Sequence, residues 1–118
     1  MEVMRRTLEL TETCVEGLRY INDQLCLGVM EKTVYLLEDT VHGYCQIVEA
    51  LTLLNPFLPD QHIHIIKNQI ELLFNQLISS YEQRDINSAS YQLNQFVLPS
   101  FLRWRDELAA SFQAYILS

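Results

Sequence analysis

Hydrophobic side chains recur at alternating intervals of three and four residues through four long segments of the chain. The clearest series is Met30, Val34, Leu37, Val41, Tyr44, Val48 and Leu51. Because an α-helix has 3.6 residues per turn, this spacing places the whole series on one face of a helix. Read in the same way, the pattern predicts helices over about 4–26, 29–54, 61–83 and 86–117.

The breaks between these segments carry ordinary helix-ending signals. Gly28 follows the first segment and is free to adopt the left-handed conformation that ends many helices. The linker 55–60 contains two prolines, which disfavour helix in the residues before them. Its two other apolar residues predict that it packs across one end of the molecule, and Asp60 is a good N-cap. A short polar turn precedes the last segment, and Asp85 or Asn87 is the predicted N-cap of its helix.

Short turns between long helices predict an all-α fold, an antiparallel four-helix bundle made of two tandem αα-hairpins. The hairpins cover about 4–54 and 61–117, within a single domain of residues 1–118. Pro99 predicts a kink in the last helix, because proline removes one backbone hydrogen bond and clashes with the carbonyl four residues earlier.

The two hairpins resemble each other in sequence. With a shift of 57 residues, Val34 falls on Tyr91 and Tyr44 on Phe101. With a shift of 56, the apolar residues of the first helix fall on those of the third. Two interpretations stay open: an internal duplication, and the general similarity of any two amphipathic hairpins.

Composition and charge narrow the class of protein. Glycine and proline are scarce, at three each, which favours a few long helices over a turn-rich β domain. The formal net charge is −7, so binding of nucleic acid or of an anionic membrane is not expected. No run approaches the roughly 20 apolar residues of a membrane-spanning helix. Three unclustered cysteines, Cys14, Cys26 and Cys45, favour a reducing compartment, so we expect a cytoplasmic protein.

A second stripe of the helix over 29–54 carries the only candidate metal ligands. It consists of Glu31, Tyr35, Glu38, His42, Cys45 and Glu49, at helical spacing. Glu38, His42 and Cys45 are candidates for a divalent ion. However, di-iron bundles place Glu-x-x-His motifs on facing helices, and this chain has none. A solvated or partner-facing stripe is the favoured interpretation, and no cofactor is predicted.

No arrangement typical of catalysis is apparent in the sequence. The three glycines are scattered, so they form no phosphate-binding loop, and no nucleophile is paired with a base. His62 and His64, two residues apart on a helix, point to different faces and do not share a metal. We therefore predict no catalytic residues.

The apolar stripes of the second and fourth helices, together with the apolar segment 114–117, exceed what a small bundle is expected to bury. Such a surplus indicates an interface. Trp104, Phe112 and Tyr115 are the candidate partner-binding residues, although a core position is the favoured interpretation of Trp104. The sequence thus favours a non-catalytic protein-interaction module, an adaptor or chaperone-like bundle, whose partner is another protein or a second copy in a homodimer. The alternative is a metal- or small-ligand-binding bundle.

Two local patterns resemble known families. Leu36-Leu37-Glu38-Asp39 followed by Gly43, and Tyr81-Glu82-Gln83-Arg84-Asp85, resemble short bacterial all-α proteins of unknown function built from tandem helical hairpins. This resemblance covers most of the chain. The hairpin from Leu72 to Phe96 is similar to flagellin export chaperones, in which a helix ends in a charged turn with Asp and a second helix begins at once. That resemblance implies a chaperone-like role.

Overall fold

The computed structural model describes residues 2–58 and 61–116, and within them it is helical with no strand. The helices are α1 (Glu2–Cys26), α2 (Val34–Leu54), α3 (Gln61–Glu82), α4 (Ile86–Gln92) and α5 (Leu98–Ile116). Single 3₁₀ turns flank α2, at Glu31–Thr33 and Asn55–Phe57, and a π-helical segment, Leu93–Val97, joins α4 to α5. With α4 and α5 counted as one long helix, the prediction of an all-α four-helix bundle is confirmed.

The apolar stripes form one core. α1 packs against α2 and α5, and α3 packs against α4 and α5. Two threonines, Thr7 and Thr11, lie on the buried stripe of α1, where each hydroxyl donates to the carbonyl four residues earlier. These bonds satisfy the buried hydroxyls, so threonine takes an apolar position at little cost.

Four aromatic rings join α2, α3 and α5 at the centre of the core. The Tyr44 ring lies 5.3 Å from that of Phe74 and 5.6 Å from that of Trp104, and Phe101 lies 5.5 Å from Trp104. The buried Trp104 Nε1 donates to the Ile63 carbonyl at 3.1 Å. Edge-to-face aromatic pairs contribute beyond their buried area, so this cluster ties both hairpins together.

The turn between α1 and α2 depends on Gly28, whose φ of 81° confirms the predicted left-handed stop. The Gly28 amide donates to the Leu25 carbonyl, and the Val29 amide donates to the Gln24 carbonyl. These bonds satisfy carbonyls that the end of the helix leaves without partners.

The turn between α3 and α4 repeats this arrangement without a glycine. Arg84 takes the left-handed position with φ of 55°, and the Asp85 amide donates to the Ser80 carbonyl. The Asp85 carboxylate then accepts from the Ser88 amide at 3.1 Å, which confirms Asp85 as the cap. The backbone amide and hydroxyl of Ser88 hold the pKa of Asp85 below its usual value.

The linker packs against the end of the bundle over its described residues, as predicted. Leu58 is buried, and the ring of Phe57 lies edge-on to Tyr115 at 5.8 Å. The predicted cap Asp60 lies outside the described residues, as does the last residue of the apolar segment 114–117.

The π-helical segment keeps one face of the last long helix buried. The buried residues before and across it stand at successive steps of four: Ala89, Leu93, Val97 and Phe101. In an α-helix each such step overshoots a full turn by about 40°, and the wider π turn compensates for this drift. The Leu98 amide donates to the Leu93 carbonyl, directly before Pro99. The kink angle at Pro99 stays a prediction.

Candidate functional site

The helices α1 and α2 approach closely at two glycines. A Cβ atom on Gly43 would lie 2.8 Å from Cys14 Sγ, and one on Gly17 would lie 2.8 Å from Thr40 Oγ1. No side chain fits at these separations without a shift of its neighbour. One side of α2 is therefore closed by α1.

Two tyrosines hold α2 and α3 apart on the opposite side of α2. The Tyr44 hydroxyl donates to the Lys67 carbonyl of α3 at 2.8 Å. The Tyr81 hydroxyl lies 2.6 Å from Thr33 Oγ1, just before α2 begins. Thr33 donates its own proton to the Met30 carbonyl, so Tyr81 is the donor to Thr33. Aromatic side chains thus bridge α2 and α3, where few backbone atoms approach.

An open apolar groove remains between these two helices, and we refer to it as the α2–α3 groove. Its wider section has a volume of about 610 Å³, and the adjoining section one of about 360 Å³. The two sections share Val41, Cys45 and Ile78, so they are continuous. On α2 the apolar lining runs from Val34 to Val48, about 21 Å at the rise of a helix. On α3 it comprises Phe74, Ile78 and Tyr81.

Carboxylates stand on both sides of this groove. Glu38 and Glu49 project from α2, and Glu71 and Glu82 from α3. All four are exposed, and in the described part of the chain none forms an ion pair. No lysine or arginine lines the two groove sections formed by residues 34–49 and 71–82.

The bridging tyrosines remain protonated at neutral pH. Burial, with smaller contributions from the charges of Glu71 and Cys45, raises the pKa of Tyr44. Burial also raises the pKa of Tyr81, against the opposing effect of the Thr33 hydrogen bond. Both phenols therefore keep the protons that they donate across the groove.

The three candidate metal ligands all line the wider groove section. Glu38, His42 and Cys45 project from successive turns of α2. Across residues 2–58 and 61–116, no three or more His, Cys, Asp or Glu side chains converge as a metal site requires. Because all three residues line the groove, the stripe that carries them forms one of its walls.

All three predicted partner-binding residues lie outside the groove lining. Trp104 and Phe112 are completely buried in the core, so neither has surface to offer a partner. Tyr115 is 39% exposed and packs on Phe57 at the end of the bundle, away from the groove lining. The wall formed by α3 was missed, although Tyr81, a polar-tipped aromatic on an apolar stripe, was a signal for it.

The fold and the groove define a class: a small all-α four-helix domain with an open apolar groove between α2 and α3. A family model for a domain of unknown function, DUF8042, matches residues 2–107, so the chain belongs to this family. No curated protein and no solved structure matches the chain. Among the described residues, none of the helices combines the length and apolar character that crossing a membrane requires.

Proposed function

We propose that this protein is a non-catalytic interaction module that binds an amphipathic helix of a partner protein in the α2–α3 groove. The groove itself is the observation that supports the proposal. A lining of about 21 Å accommodates roughly 14 helical residues, or four turns. An amphipathic helix seated there buries its apolar face on Val41, Ile78 and their neighbours, in the helix-in-groove mode of recognition.

A helix fits this groove better than an extended peptide does. Strand addition requires unpaired backbone N–H and C=O groups at a sheet edge, and the described part of the chain contains no strand. The walls of the groove are two helices whose backbone groups bond internally. Only their side chains remain for contact, and ridges of a third helix pack well between such rows.

An adaptor or chaperone-like role follows from this mode of binding. A partner helix that exposes an apolar stripe is shielded from water while it occupies the groove, which favours the bound state by the hydrophobic effect. The similarity of Leu72–Phe96 to flagellin export chaperones is consistent with such a role.

Differential alkylation tests the site, because the chain offers an internal control. Cys45 is exposed within the groove, whereas Cys26 is exposed outside its lining. Cys14 is buried, and burial raises its pKa from 9.0 to about 11, so it reacts slowly. The probe is a neutral 14-residue peptide with leucine on one helical face and glutamine on the other.

We expect the peptide to protect Cys45 and leave Cys26 unchanged. At a peptide concentration about ten times its Kd, roughly nine-tenths of the grooves are occupied, so alkylation of Cys45 slows about ten-fold. A peptide of the same composition with leucine distributed around the helix should protect neither thiol. Equal rates for Cys45 with and without the amphipathic peptide would refute the proposal.

A pair of variants on α2 provides a second control. Val41→Gln places a polar amide in both groove sections, and we expect it to weaken peptide binding by about ten-fold or more. Leu53→Gln makes a similar change at a residue that is 74% exposed and outside the groove, and it should leave the Kd unchanged. Thermal unfolding monitored by circular dichroism verifies that both variants fold.

The same experiments distinguish the other candidate occupants. Light scattering reports a homodimer directly, and a dimer that buries the groove would protect Cys45 without any peptide. Elemental analysis of the purified protein tests the metal-binding alternative, which requires bound metal at Glu38, His42 and Cys45.

A further inference from the structure

We infer that the partner helix is basic, with lysine or arginine on both flanks of its apolar stripe. This inference rests on the proposed function and adds the chemistry of the partner. The apolar lining alone would bind an amphipathic helix of any charge. The four carboxylates along both sides select among such helices, because opposite charge across an interface favours the right partner and like charge excludes the wrong ones.

The carboxylates form two pairs, one in each section of the groove. Glu38 and Glu82 both line the wider section, and Glu49 and Glu71 both line the adjoining one. Each pair contributes one carboxylate from α2 and one from α3. A helix lying between them therefore meets negative charge on its left and right flanks in each section.

The spacing of the pairs sets the spacing of the cations. Glu38 and Glu49 are eleven residues apart on α2, as are Glu71 and Glu82 on α3. Eleven residues are about three helical turns, or roughly 16 Å. A partner helix parallel to the groove is thus recognised by two clusters of basic residues about eleven positions apart, with its apolar residues between them.

The unpaired state of these carboxylates supports a cationic partner. None of the four forms an ion pair among the described residues, so each is available to a lysine or arginine of the partner. Exposed carboxylates elsewhere, such as Glu9 and Glu16, are unpaired as well, so the position of the four along the groove is what selects the partner. Arg84 adjoins the wider end of the groove beside Glu38, and Lys67 adjoins the other end beside Val48, so no cation lines the stretch between them.

A second copy of the chain is disfavoured as the occupant. Its formal net charge is also −7, and groove-to-groove contact would bring together eight carboxylates without a lysine or arginine lining either groove. Like charges at such an interface oppose association. A basic helix instead neutralises each pair as it binds.

Three synthetic peptides test the inference. They share the leucine positions of the neutral probe, and their flanking residues eleven apart are lysine, glutamine or glutamate. At low ionic strength we expect the lysine peptide to bind about ten-fold tighter than the glutamine peptide and the glutamate peptide to bind weakest. Because exposed charges are screened, the preference should shrink in about 1 M salt.

Two charge-matched variants separate groove recognition from general attraction to an acidic protein. Glu38→Gln with Glu82→Gln removes one carboxylate pair and should reduce the lysine peptide's advantage over the glutamine peptide by about three-fold or more. Glu9→Gln with Glu16→Gln makes the same change in net charge on exposed residues of α1 outside the groove lining. This control should leave the preference within two-fold of the parent.

The possible results are distinguishable. Equal binding of all three peptides, with Cys45 protected, would overturn the basic partner and leave the helix-binding groove intact. An equal loss of preference in both double variants would also overturn it, because the attraction would then come from the overall charge. Failure of every peptide to bind or to protect Cys45 would overturn the proposed function itself.

Discussion

At the scale of single residues, the distances to two glycines explain why α2 has one closed and one open side. Gly43 is a poor helix residue, which costs roughly 1 kcal/mol relative to alanine. The sequence shows that a glycine in the middle of α2 lowers helix stability, but it does not show why a glycine occupies this position. The reason is the sulfur of Cys14, because a Cβ atom on residue 43 would lie only 2.8 Å from it.

Gly43→Ala should therefore lower the free energy of unfolding, even though alanine favours helix. Overpacking typically costs about 1–3 kcal/mol, against a gain of about 1 kcal/mol in helix propensity. Replacing Cys14 with alanine removes the sulfur, so the double variant should recover part of the loss. Urea unfolding of both single variants and the double variant measures this coupling. Additive effects would contradict the proposed steric contact.

Arg84 shows a second residue-scale departure from expectation. It occupies a left-handed position, which favours glycine and costs an L-residue about 1–2 kcal/mol. Its backbone nevertheless makes the same hydrogen bonds as Gly28 in the first hairpin. The turn is thus determined by where α3 and α4 must pack.

At the scale of elements, the spacing between α2 and α3 depends on side chains that bridge them. Tyr44 and Tyr81 each extend from one helix to an oxygen on or beside the other. An aromatic ring with a hydroxyl tip is a long and rigid spacer, and it leaves room beside it that shorter apolar pairs would close. The groove therefore lies beside the two tyrosine bridges, and Tyr44 and Tyr81 form part of its lining.

We expect Tyr44→Phe to destabilise the protein by about 1 kcal/mol, the usual contribution of one partly buried hydrogen bond. The ring remains, so the groove keeps its width and the neutral peptide should bind with a Kd within about two-fold of the parent. Tyr20→Phe is the control, since its side chain is exposed and should change stability by less than about 0.5 kcal/mol. Denaturation followed by the fluorescence of the single tryptophan, Trp104, provides the measurement. An unchanged midpoint for Tyr44→Phe would exclude a stabilising bridge.

At the scale of the whole molecule, the two hairpins enclose groups that resist ionisation. Burial raises the pKa of Cys14 from 9.0 to about 11, and it raises that of Tyr44 as well. Both groups are neutral in the core at neutral pH, and both would ionise at ordinary values in the unfolded chain. Alkaline conditions therefore favour the unfolded state.

The free energy of unfolding should be constant up to about pH 9 and should fall as the pH rises toward 11. The sign follows from proton binding, since above pH 9 the folded state retains protons that the unfolded state has released. Cys14→Ala should make this decline shallower without abolishing it, because Tyr44 still contributes. Urea unfolding at several pH values tests this, and a flat profile from pH 8 to 11 would contradict it.

The helices, their turns and their buried faces could be predicted from the sequence, because these depend on interactions between residues close together in the chain. The periodic stripes, Gly28 and Asp85 were sufficient for that. The π-helical segment Leu93–Val97 was not predicted, since Pro99 indicated only a kink. The stripe of Glu38, His42 and Cys45 was predicted as a solvated or partner-facing side of α2, and all three residues line the groove.

Which helices touch and which remain apart depends on the packing of the whole chain and could not be predicted from local patterns. Phe112 was a candidate partner contact until packing placed it in the core, whereas the burial of Trp104 agrees with the core position that the sequence favoured. Conversely, the groove requires residues of α2 and α3 to face each other across a distance set by Tyr44 and Tyr81. Helical periodicity specifies the face on which a side chain lies, but the neighbour of that face depends on how the two hairpins pack together.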